Sequence, residues 1–446
     1  MASSQQEEIQ LWQTVAPIEF SPAVGDRTEA QKILIAARQG AGFAVAGGQI
    51  SHAIQSRATH VLLDYSQSAC AIRYQIDGAW EQLPPIDRET GDAMLYALKQ
   101  LCLLNPADRR SPQRGTVGGK LIKDKFKIHV QSQGVPTGER VLIRMEPEKV
   151  PFDTLADLGM RDRMIATWKE QLNREGSLIL VTAPKGQGLT TSWTVSLQSA
   201  DRLIRDFQSF EDQDSPEPEI INVNPNFYGG DTELSEQQLL QKMILKEPDV
   251  LVFPELPSPE SMKLGMDQVA KNDKQIYVRD TAGGAVEGYA KLVGRYGEVA
   301  SAVAERTGGV LCQKLVRRLC ENCKVGFEPP PQLLQQLGIP PGRVSVLYQP
   351  FIPPPPEQQV DEQGRPAPIE PCEVCHGRGF YGRVGIFELL QPGDQLKATV
   401  QKTKDVGQLR AVAKQEGHRD LKTEAVMTVA RGLTSLDELK RAFAAG

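Results

Sequence analysis

The stretch LILVTAPKGQGLTT at residues 178–191 combines a compact apolar run with a glycine-containing loop. It predicts a buried strand over Leu178–Thr182, a tight loop, and a helix over Thr190–Ala200. Strand, loop and helix in this order are the context of a phosphate-binding loop. In such a loop, backbone N–H groups surround the phosphates, a lysine contacts the β- and γ-phosphates, and a hydroxyl contacts Mg²⁺.

The loop keeps the second glycine and the hydroxyl of the pattern G-x-x-x-x-G-K-[ST], but not its lysine. Gly188 and Thr190 fit the pattern, whereas Ala183 stands at the first glycine and Leu189 at the lysine. A β–α turn without a ligand is an alternative, because any such turn leaves a helix N-terminus open to anions. The predicted nucleotide-binding residues are Ala183, Pro184, Lys185, Gly186, Gln187, Gly188, Leu189, Thr190 and Thr191, with Thr190 as the Mg²⁺ ligand.

Short apolar runs alternate with helical stretches after the loop. This alternation predicts a parallel sheet flanked by helices, and therefore an α/β fold. The runs are Leu203–Phe207, Val250–Phe253 and Gln275–Val278.

Carboxylates follow two of these runs. Glu211 and Asp212 come shortly after the first run, and Glu255 comes shortly after the second. A carboxylate at the end of a hydrophobic strand is how a phosphate-loop enzyme holds Mg²⁺ or orients the attacking water. Two features favour other interpretations. Pro254 removes a backbone N–H beside Glu255, and the acidic run over 211–219 also fits a solvated loop. Glu255 and Glu211 are the candidate catalytic residues.

Two Cys-x-x-Cys pairs form the most specific pattern in the chain: Cys320 with Cys323, and Cys372 with Cys375. Four thiolates suit tetrahedral Zn²⁺, and a site with all four positions filled is structural. A redox role would require one reactive pair beside a thioredoxin-like βαβ unit, which the sequence does not contain. The proline-rich residues 349–371 between the pairs predict a looped-out insertion.

The composition is that of an ordinary globular protein and disfavours several functions. The 446 residues are 40% hydrophobic and 24% charged, with a net charge of −5. Without a basic excess, nucleic-acid binding by phosphate neutralisation is disfavoured. No run approaches the roughly 18 apolar residues that span a bilayer, and the polar start lacks a signal-peptide core. We therefore expect a cytoplasmic chain with no transmembrane segment and at most a peripheral membrane role.

The first 150 residues have a different pattern from the rest. Residues 1–45 are expected to be irregular apart from a helix near Ala30–Arg38, and residues 46–150 predict an α+β domain. The expected helices of that domain are Ile50–Arg57 and Asp92–Leu104, and its expected strands are His60–Asp64, Ala71–Ile76 and Phe126–Gln131.

Several strings, taken in order, resemble the motor ATPases of type II secretion (type II secretion system protein E) and type IV pilus assembly, over roughly residues 48–446. The first domain matches by SHAIQSRATHVLLDY, RYQIDGAW, RRSPQRG and PTGERVLIRM. The cysteine segment matches the family's tetracysteine motif by QKLVRRLCENCK and CEVCHGRGFYGRVGIFELL, and the tail matches by GLTSLDEL.

The resemblance implies a domain plan, cofactors and partners. Behind the α+β domain it implies a RecA-like P-loop NTPase core with a parallel sheet over 151–310. A tetracysteine zinc module with a proline-rich insertion follows over 311–390, and a C-terminal helical subdomain over 391–446. It also implies Zn²⁺ and ATP with Mg²⁺ as cofactors, and either a homo-hexamer or co-assembly with active motor subunits. The implied partner is an inner-membrane platform protein, at the cytoplasmic face of that membrane.

The catalytic strings depart from those of the family. The family's GPTGSGKTT is APKGQGLTT here, and its DPDVVMVGEIRD is EPDVLVFPELPS, which keeps Glu255. The family's upstream arginines fall at Gln241 and Leu245, and both histidines of TGHLVLSTLHTNDA are absent. These losses remove most of the positive charge that stabilises a transferring phosphoryl group.

The combination of kept scaffold strings and lost catalytic strings predicts a pseudo-ATPase that acts as a ring or scaffold subunit. One alternative is an active ATP-hydrolysing motor with displaced catalytic residues or a completing partner subunit. The other alternative is an adaptor to the inner-membrane platform that binds no nucleotide.

Overall fold

The computed structural model divides the chain into two compact units, Met1–Pro151 and Phe152–Gly446. Within the described part of the chain, each unit has its own hydrophobic core and its own seven-stranded sheet. No helix in that part is both long enough and apolar enough to cross a membrane. The described residues are 10–149, 152–230, 232, 234–359, 365, 367 and 369–444.

The first unit is an antiparallel sheet packed against helices. Its strands are β1 (Glu19–Pro22), β2 (Ala58–Tyr65), β3 (Ala69–Ile76), β4 (Ala79–Asp87), β5 (Gln113–Leu121), β6 (Asp124–Val135) and β7 (Gly138–Pro147). Its helices are α1 (Arg27–Arg38), α2 (Gly42–Gln55) and α3 (Arg88–Leu101). The strand order is β1-β5-β6-β7-β2-β3-β4. Alternate residues of β3 are buried, as expected for a sheet with one face on the core.

Residues 10–45 of the N-terminal segment are more regular than expected from their sequence, and residues 1–9 lie outside the described part of the chain. β1 pairs with β5, and its buried Phe20 belongs to the core of the first unit. The helix expected near Ala30–Arg38 is α1. It begins at Arg27 because the Asp26 side chain accepts a hydrogen bond from the Thr28 backbone N–H and so caps the first turn.

The second unit alternates strands and helices. Its strands are β8 (Leu178–Ala183), β9 (Phe207–Asp212), β10 (Val223–Tyr228), β11 (Val250–Phe253), β12 (Gln275–Thr281), β13 (Thr307–Leu319), β14 (Val325–Phe327), β15 (Leu347–Gln349) and β16 (Phe380–Leu390). Its helices are α4 (Asp162–Leu172), α5 (Leu189–Gln198), α6 (Glu236–Ile244), α7 (Pro259–Asn272), α8 (Ala285–Arg295), α9 (Ala300–Arg306), α10 (Pro331–Gln336), α11 (Asp394–Val400), α12 (Val406–Gln415), α13 (Leu421–Ala430) and α14 (Leu436–Ala444).

The main sheet of the second unit is parallel except at one edge. Its order is β10-β9-β11-β12-β8-β13-β16, and β16 alone runs antiparallel to its neighbour among these described strands. All six residues of β8 are buried, between β12 and β13. The connections that leave the carboxyl ends of the parallel strands therefore meet at one edge of the sheet, here called the carboxyl edge.

One strand of this sheet begins later than expected. The apolar run Leu203–Phe207 predicts a strand, but the strand starts at Phe207, which pairs with Val223 and Val250. Leu203 and Ile204 lie in a turn and are 79% and 82% exposed. Apolar character alone therefore misplaces the strand. The carboxylates Glu211 and Asp212 are the last residues of β9, not part of a following loop.

Candidate functional site

The predicted phosphate loop lies at the carboxyl edge, between β8 and α5. Gly186 and Gly188 have φ values of +75° and +85°, in the left-handed region that favours glycine. Gly188 is the N-cap of α5, and no side chain caps that end of the helix. The Lys185 and Thr190 side chains are exposed. The loop thus has the backbone shape of an anion-binding β–α turn.

A glutamine on the neighbouring strand β13 holds this loop. Gln313 is buried, and its Nε2 donates to the carbonyl oxygens of Gln187 (2.9 Å) and Gly188 (3.3 Å). Its Oε1 accepts from the Ser192 hydroxyl. The Leu315 N–H donates to Gln187 Oε1 at 2.9 Å. The loop shape is therefore fixed by neutral hydrogen bonds within the protein.

The close contact between loop and strand also requires glycine at one position. A Cβ at residue 188 would lie 2.3 Å from Gln313 Nε2. Nothing in the sequence pattern singles out Gln313 in advance. Its only signal is a polar side chain directly after the apolar run Val310–Cys312.

The two candidate catalytic carboxylates lie in different surroundings. Glu211 is buried, and its oxygens accept from the Ser209 hydroxyl at 2.6 Å and from the Glu217 backbone N–H at 2.9 Å. Glu255 follows β11 and is exposed. Both Glu211 oxygens therefore already have protein donors, whereas the carboxylate of Glu255 faces solvent.

The carboxyl edge carries a concentration of negative charge near Tyr228, the last residue of β10. Burial and neighbouring negative charges raise the pKa of Tyr228 to about 12. The neighbours that contribute are Glu236, Glu255, Asp212 and Glu211. A phosphate chain that bound here would need positive charge from the protein or a metal ion to offset these carboxylates.

The positions of the lost family residues contribute little positive charge. Gln241 on α6 is exposed, and Leu245 at the end of α6 is 83% exposed. Of the two histidine positions, Thr281 is uncharged, and Lys274 precedes β12 at the opposite end of the sheet, where it pairs with Asp249.

One arginine nevertheless lies at this edge, and the sequence patterns do not identify it. Arg279 of β12 forms two hydrogen bonds to Glu217 and lies over the Trp193 ring of α5, 5.6 Å from its centroid. The two charged side chains are only 16% and 15% exposed. A cation at the carboxyl edge is therefore already paired within the chain.

The four cysteines of the two Cys-x-x-Cys pairs come together as the sequence predicts. Their sulfur atoms all lie within 4.8 Å of one another. Cys320 Sγ is 3.9 Å from Cys372 Sγ, and Cys323 Sγ is 3.5 Å from Cys375 Sγ. Metal–sulfur bonds of about 2.3 Å in a tetrahedron place the sulfurs about 3.8 Å apart. The cluster is therefore compatible with zinc.

Backbone and side-chain N–H groups support the sulfurs. The Gly379 N–H donates to Cys375 Sγ at 3.3 Å, and the Asn322 amide donates to Cys372 Sγ at 3.2 Å. The backbone N–H of Cys375 and the Asn322 amide lower the pKa of the Cys372 thiol to about 6. A lowered pKa favours the thiolate that ligates a metal, whereas burial raises the pKa of the Cys320 and Cys323 thiols. His376 is exposed and does not belong to the cluster.

The C-terminal string GLTSLDEL packs against the strand that leads into the cluster. Thr434 Oγ1 donates to the Arg317 carbonyl at 2.8 Å, and the Leu319 N–H donates to the Leu433 carbonyl at 2.9 Å. The buried Glu438 carboxylate pairs with Arg317 at 2.7 Å and with Arg441 at 2.6 Å. The string GLTSLDEL, which was first noted only for its resemblance to the family, therefore joins α14 and the turn before it to β13.

The mixed α/β fold, with a parallel sheet and a cysteine cluster beyond it, is that of a secretion ATPase. The chain belongs to the Type II/IV secretion system protein family, whose model matches residues 44–441.

Individual relatives are distant. The chain is 24% identical over 394 residues to the type IV pilus assembly ATPase PilB of Thermus thermophilus, covering 87% of this chain and 42% of that protein. It is 26% identical over 392 residues to the protein transport protein HofB homolog of Escherichia coli, covering 88% of this chain and 79% of that one. The chain thus spans less than half of the Thermus relative.

A solved structure has a similar fold. The ATPase DotB of Legionella pneumophila superposes with a TM-score of 0.54 at 12% identity, covering 90% of this chain and 95% of that one.

Proposed function

We propose that this chain is a nucleotide-binding subunit of a secretion or pilus-assembly motor that has lost most or all ATP hydrolysis. One observation carries the proposal: the loop at 183–191 keeps a phosphate-binding backbone shape, held by Gln313, while Leu189 stands in place of the lysine. The N–H groups of the loop and the Thr190 hydroxyl would hold phosphate and Mg²⁺. Rapid phosphoryl transfer needs more positive charge than they supply.

The strand order supports a RecA-like P-loop core as part of the proposal. β8, which leads into the loop, is separated from β11, which leads to Glu255, by the single strand β12. The carboxylate and the loop then flank one position at the carboxyl edge. Glu255 is the better candidate for a Mg²⁺ or water contact, because both oxygens of Glu211 already accept hydrogen bonds.

Zinc is the metal we propose for the cysteine cluster. Four sulfur ligands with no open position suit a structural Zn²⁺ rather than a catalytic one. When bound, Zn²⁺ would tie the start of the segment after β13 to the segment before β16. Cys320, Cys323, Cys372 and Cys375 would hold it.

The proposed setting is a hexameric ring, either of this chain alone or with active motor subunits. The ring would act on a platform protein at the cytoplasmic face of the inner membrane. Family membership supports this setting. A scaffold subunit of this kind requires nucleotide binding and assembly contacts, but not turnover.

Binding and hydrolysis measured on one sample test the proposal. The purified full chain should bind a fluorescent ATP analogue (MANT-ATP) with Mg²⁺ saturably, while ATP turnover stays at the level of a protein-free blank. A turnover of about 1 s⁻¹, at the low end of ordinary enzymes, would establish an active motor instead. Absence of binding by the folded protein would establish an adaptor.

A pair of glycine variants locates the binding. Gly188→Ala should abolish MANT-ATP binding, because the new Cβ meets Gln313 and the φ of +85° is strained. Gly294→Ala is the matched control, since nothing lies within 4 Å of its Cβ position. Equal binding by the two variants would place the nucleotide elsewhere.

A further inference from the structure

The connection between β9 and β10, residues 213–222, leaves the carboxyl end of β9 at the carboxyl edge. We call it the strap. The Glu217 N–H donates to the buried Glu211 carboxylate at 2.9 Å, and Ile220 is buried. Pro216 and Pro218 flank Glu217 and restrict its backbone. Glu217 is therefore held in a defined place by its own backbone.

The ion pair of Glu217 shows how far the strap extends. Its partner Arg279 lies on β12, and β11 separates β12 from β9 in the sheet. The contacts of Glu217 with Glu211 on β9 and with Arg279 on β12 therefore bridge two strand spacings, or about 9–10 Å. Arg279 pairs in register with Val181 of β8, two residues before the loop begins at Ala183. The ion pair thus lies between the loop and the end of the strand that leads to Glu255.

The geometry of this pair is that of a phosphate contact. Arg279 Nη1 donates to Glu217 Oε2 at 2.6 Å, and Nη2 donates to Oε1 at 2.5 Å. A guanidinium binds a carboxylate and a phosphate through the same two-pronged arrangement. Both side chains are largely buried. Breaking the ion pair without a replacement partner would therefore cost free energy, because water could not fully solvate either charge.

We propose that Arg279 is a phosphate-binding residue of the nucleotide site and that Glu217 competes with phosphate for it. This inference rests on the proposed function. Leu189 removes the loop's usual cation, and Arg279 supplies a positive charge from the strand beside the loop. The ligand class is a nucleoside polyphosphate, because a longer phosphate chain reaches from the α5 N-terminus toward β12. The strap lowers the apparent affinity by the fraction of molecules in which Glu217 holds Arg279.

Removing the competing charge tests the proposal. Glu217→Gln should bind MANT-ATP with Mg²⁺ about tenfold more tightly than wild type, since the Arg279 guanidinium is then no longer held by a carboxylate. The gain should be smaller for MANT-AMP, which carries one phosphate. Glu219→Gln is the matched control, because Glu219 lies two residues away on the strap and is exposed. It should bind like wild type.

The second arm asks whether the gain requires Arg279. The double variant Glu217→Gln with Arg279→Gln should lose the gain and bind no better than wild type. If that variant does not fold by circular dichroism, Arg279→Lys in the same background replaces it and should keep only part of the gain, because lysine lacks the two-pronged donor.

Three outcomes overturn the inference. If wild type binds nucleotide and Glu217→Gln binds it less than twofold more tightly, the inference fails and the proposed function stands. The same holds if the gain persists in the variant that lacks Arg279. If neither wild type nor any folded variant binds nucleotide, both the proposed function and the inference fail.

Discussion

One strand, β13, connects two regions that differ in how many residues of the family's sequence patterns they retain. Gln313 in the middle of β13 holds the phosphate loop, and the end of β13 leads into Cys320 of the cysteine cluster. The cluster keeps its four sulfurs and the N–H groups that support them. The loop keeps its backbone shape but has Leu189 at the lysine position. A neutral amide is thus enough to hold the loop's shape without the charge that phosphoryl transfer needs.

The two regions depend on their side chains in different ways. A structural metal contributes to folding directly, so the loss of one ligand lowers stability. A phosphate-binding lysine acts only when phosphate is bound, so its loss leaves the free energy of unfolding nearly unchanged. Changes in the cluster should therefore alter stability, and changes of charge in the loop should alter ligand affinity.

The largest expected effect is the loss of metal. The purified chain should contain one zinc ion by elemental analysis. Cys375→Ser should lose it and unfold more easily by about 4–5 kcal/mol, at the upper end of single substitutions. Cys312→Ala is the control, because Cys312 is buried but outside the cluster. Retained zinc in Cys375→Ser, or equal melting shifts for both variants, would contradict a metal role.

The next effect concerns the contact between α14 and β13. Glu438→Gln should lower the free energy of unfolding by about 3 kcal/mol, because it leaves Arg317 and Arg441 without their shared buried carboxylate. Chemical denaturation measures the change. Asp437→Asn is the control, since the Asp437 side chain is 89% exposed, and it should have almost no effect.

The effect of Glu438 should depend on pH. Burial alone would raise the pKa of Glu438, but hydrogen bonds from Arg441 and Arg317 outweigh it and hold the pKa below 4.5. The stabilisation is therefore complete above pH 4.5 and is lost as the pH falls through the folded-state pKa. The stability gap between wild type and Glu438→Gln should narrow below that pH. A constant gap would rule out the carboxylate as its cause.

A smaller effect is expected where the strand holds the loop. Gln313→Ala leaves two loop carbonyls and the Ser192 hydroxyl without their partner, which should cost about 2 kcal/mol. It should also weaken MANT-ATP binding, while the zinc content stays unchanged. Gln336→Ala on α10 is the exposed control. Unchanged stability would mean that the loop shape does not depend on Gln313.

The smallest effect is expected for the lysine position itself. Leu189→Lys should tighten MANT-ATP binding about tenfold, or about 1.4 kcal/mol, with little change in melting temperature. Hydrolysis should remain at the blank level, because the positions of the family arginines stay uncharged. Leu189→Met is the control for side-chain size. Turnover restored by this single change would show that the lysine was the decisive loss.

The local parts of both regions follow from short sequence patterns. Strand β8, helix α5 and their glycine-containing connection agree with the pattern at 178–191, because apolar runs and glycines act over a few residues. The four cysteines are brought together as predicted, because the Cys-x-x-Cys spacing of metal ligands can be recognised directly in the sequence.

The contacts that decide the chemistry do not follow from such patterns. Gln313 contacts a loop more than a hundred residues earlier, and the Arg279–Glu217 pair joins β12 to the strap that follows β9, a strand that is not its neighbour. These contacts depend on the order of strands in the sheet, which no local pattern encodes. The predicted start of β9 is wrong for a different reason: a local pattern was followed where it does not apply. Leu203 and Ile204 are apolar, but they face solvent and do not belong to the strand.

The length of β13 has a consequence for how this chain can vary. Side chains alternate along a strand, so one residue inserted between Gln313 and Arg317 would turn every later side chain to the opposite face. Gln313 and Arg317 could not then both keep their partners. None of the described residues in the proline-rich segment after β15 belongs to a strand, and doubling the length of this segment would cost only about 0.6 kcal/mol. Insertions and deletions among close relatives should therefore collect in the proline-rich segment and be absent from the strand.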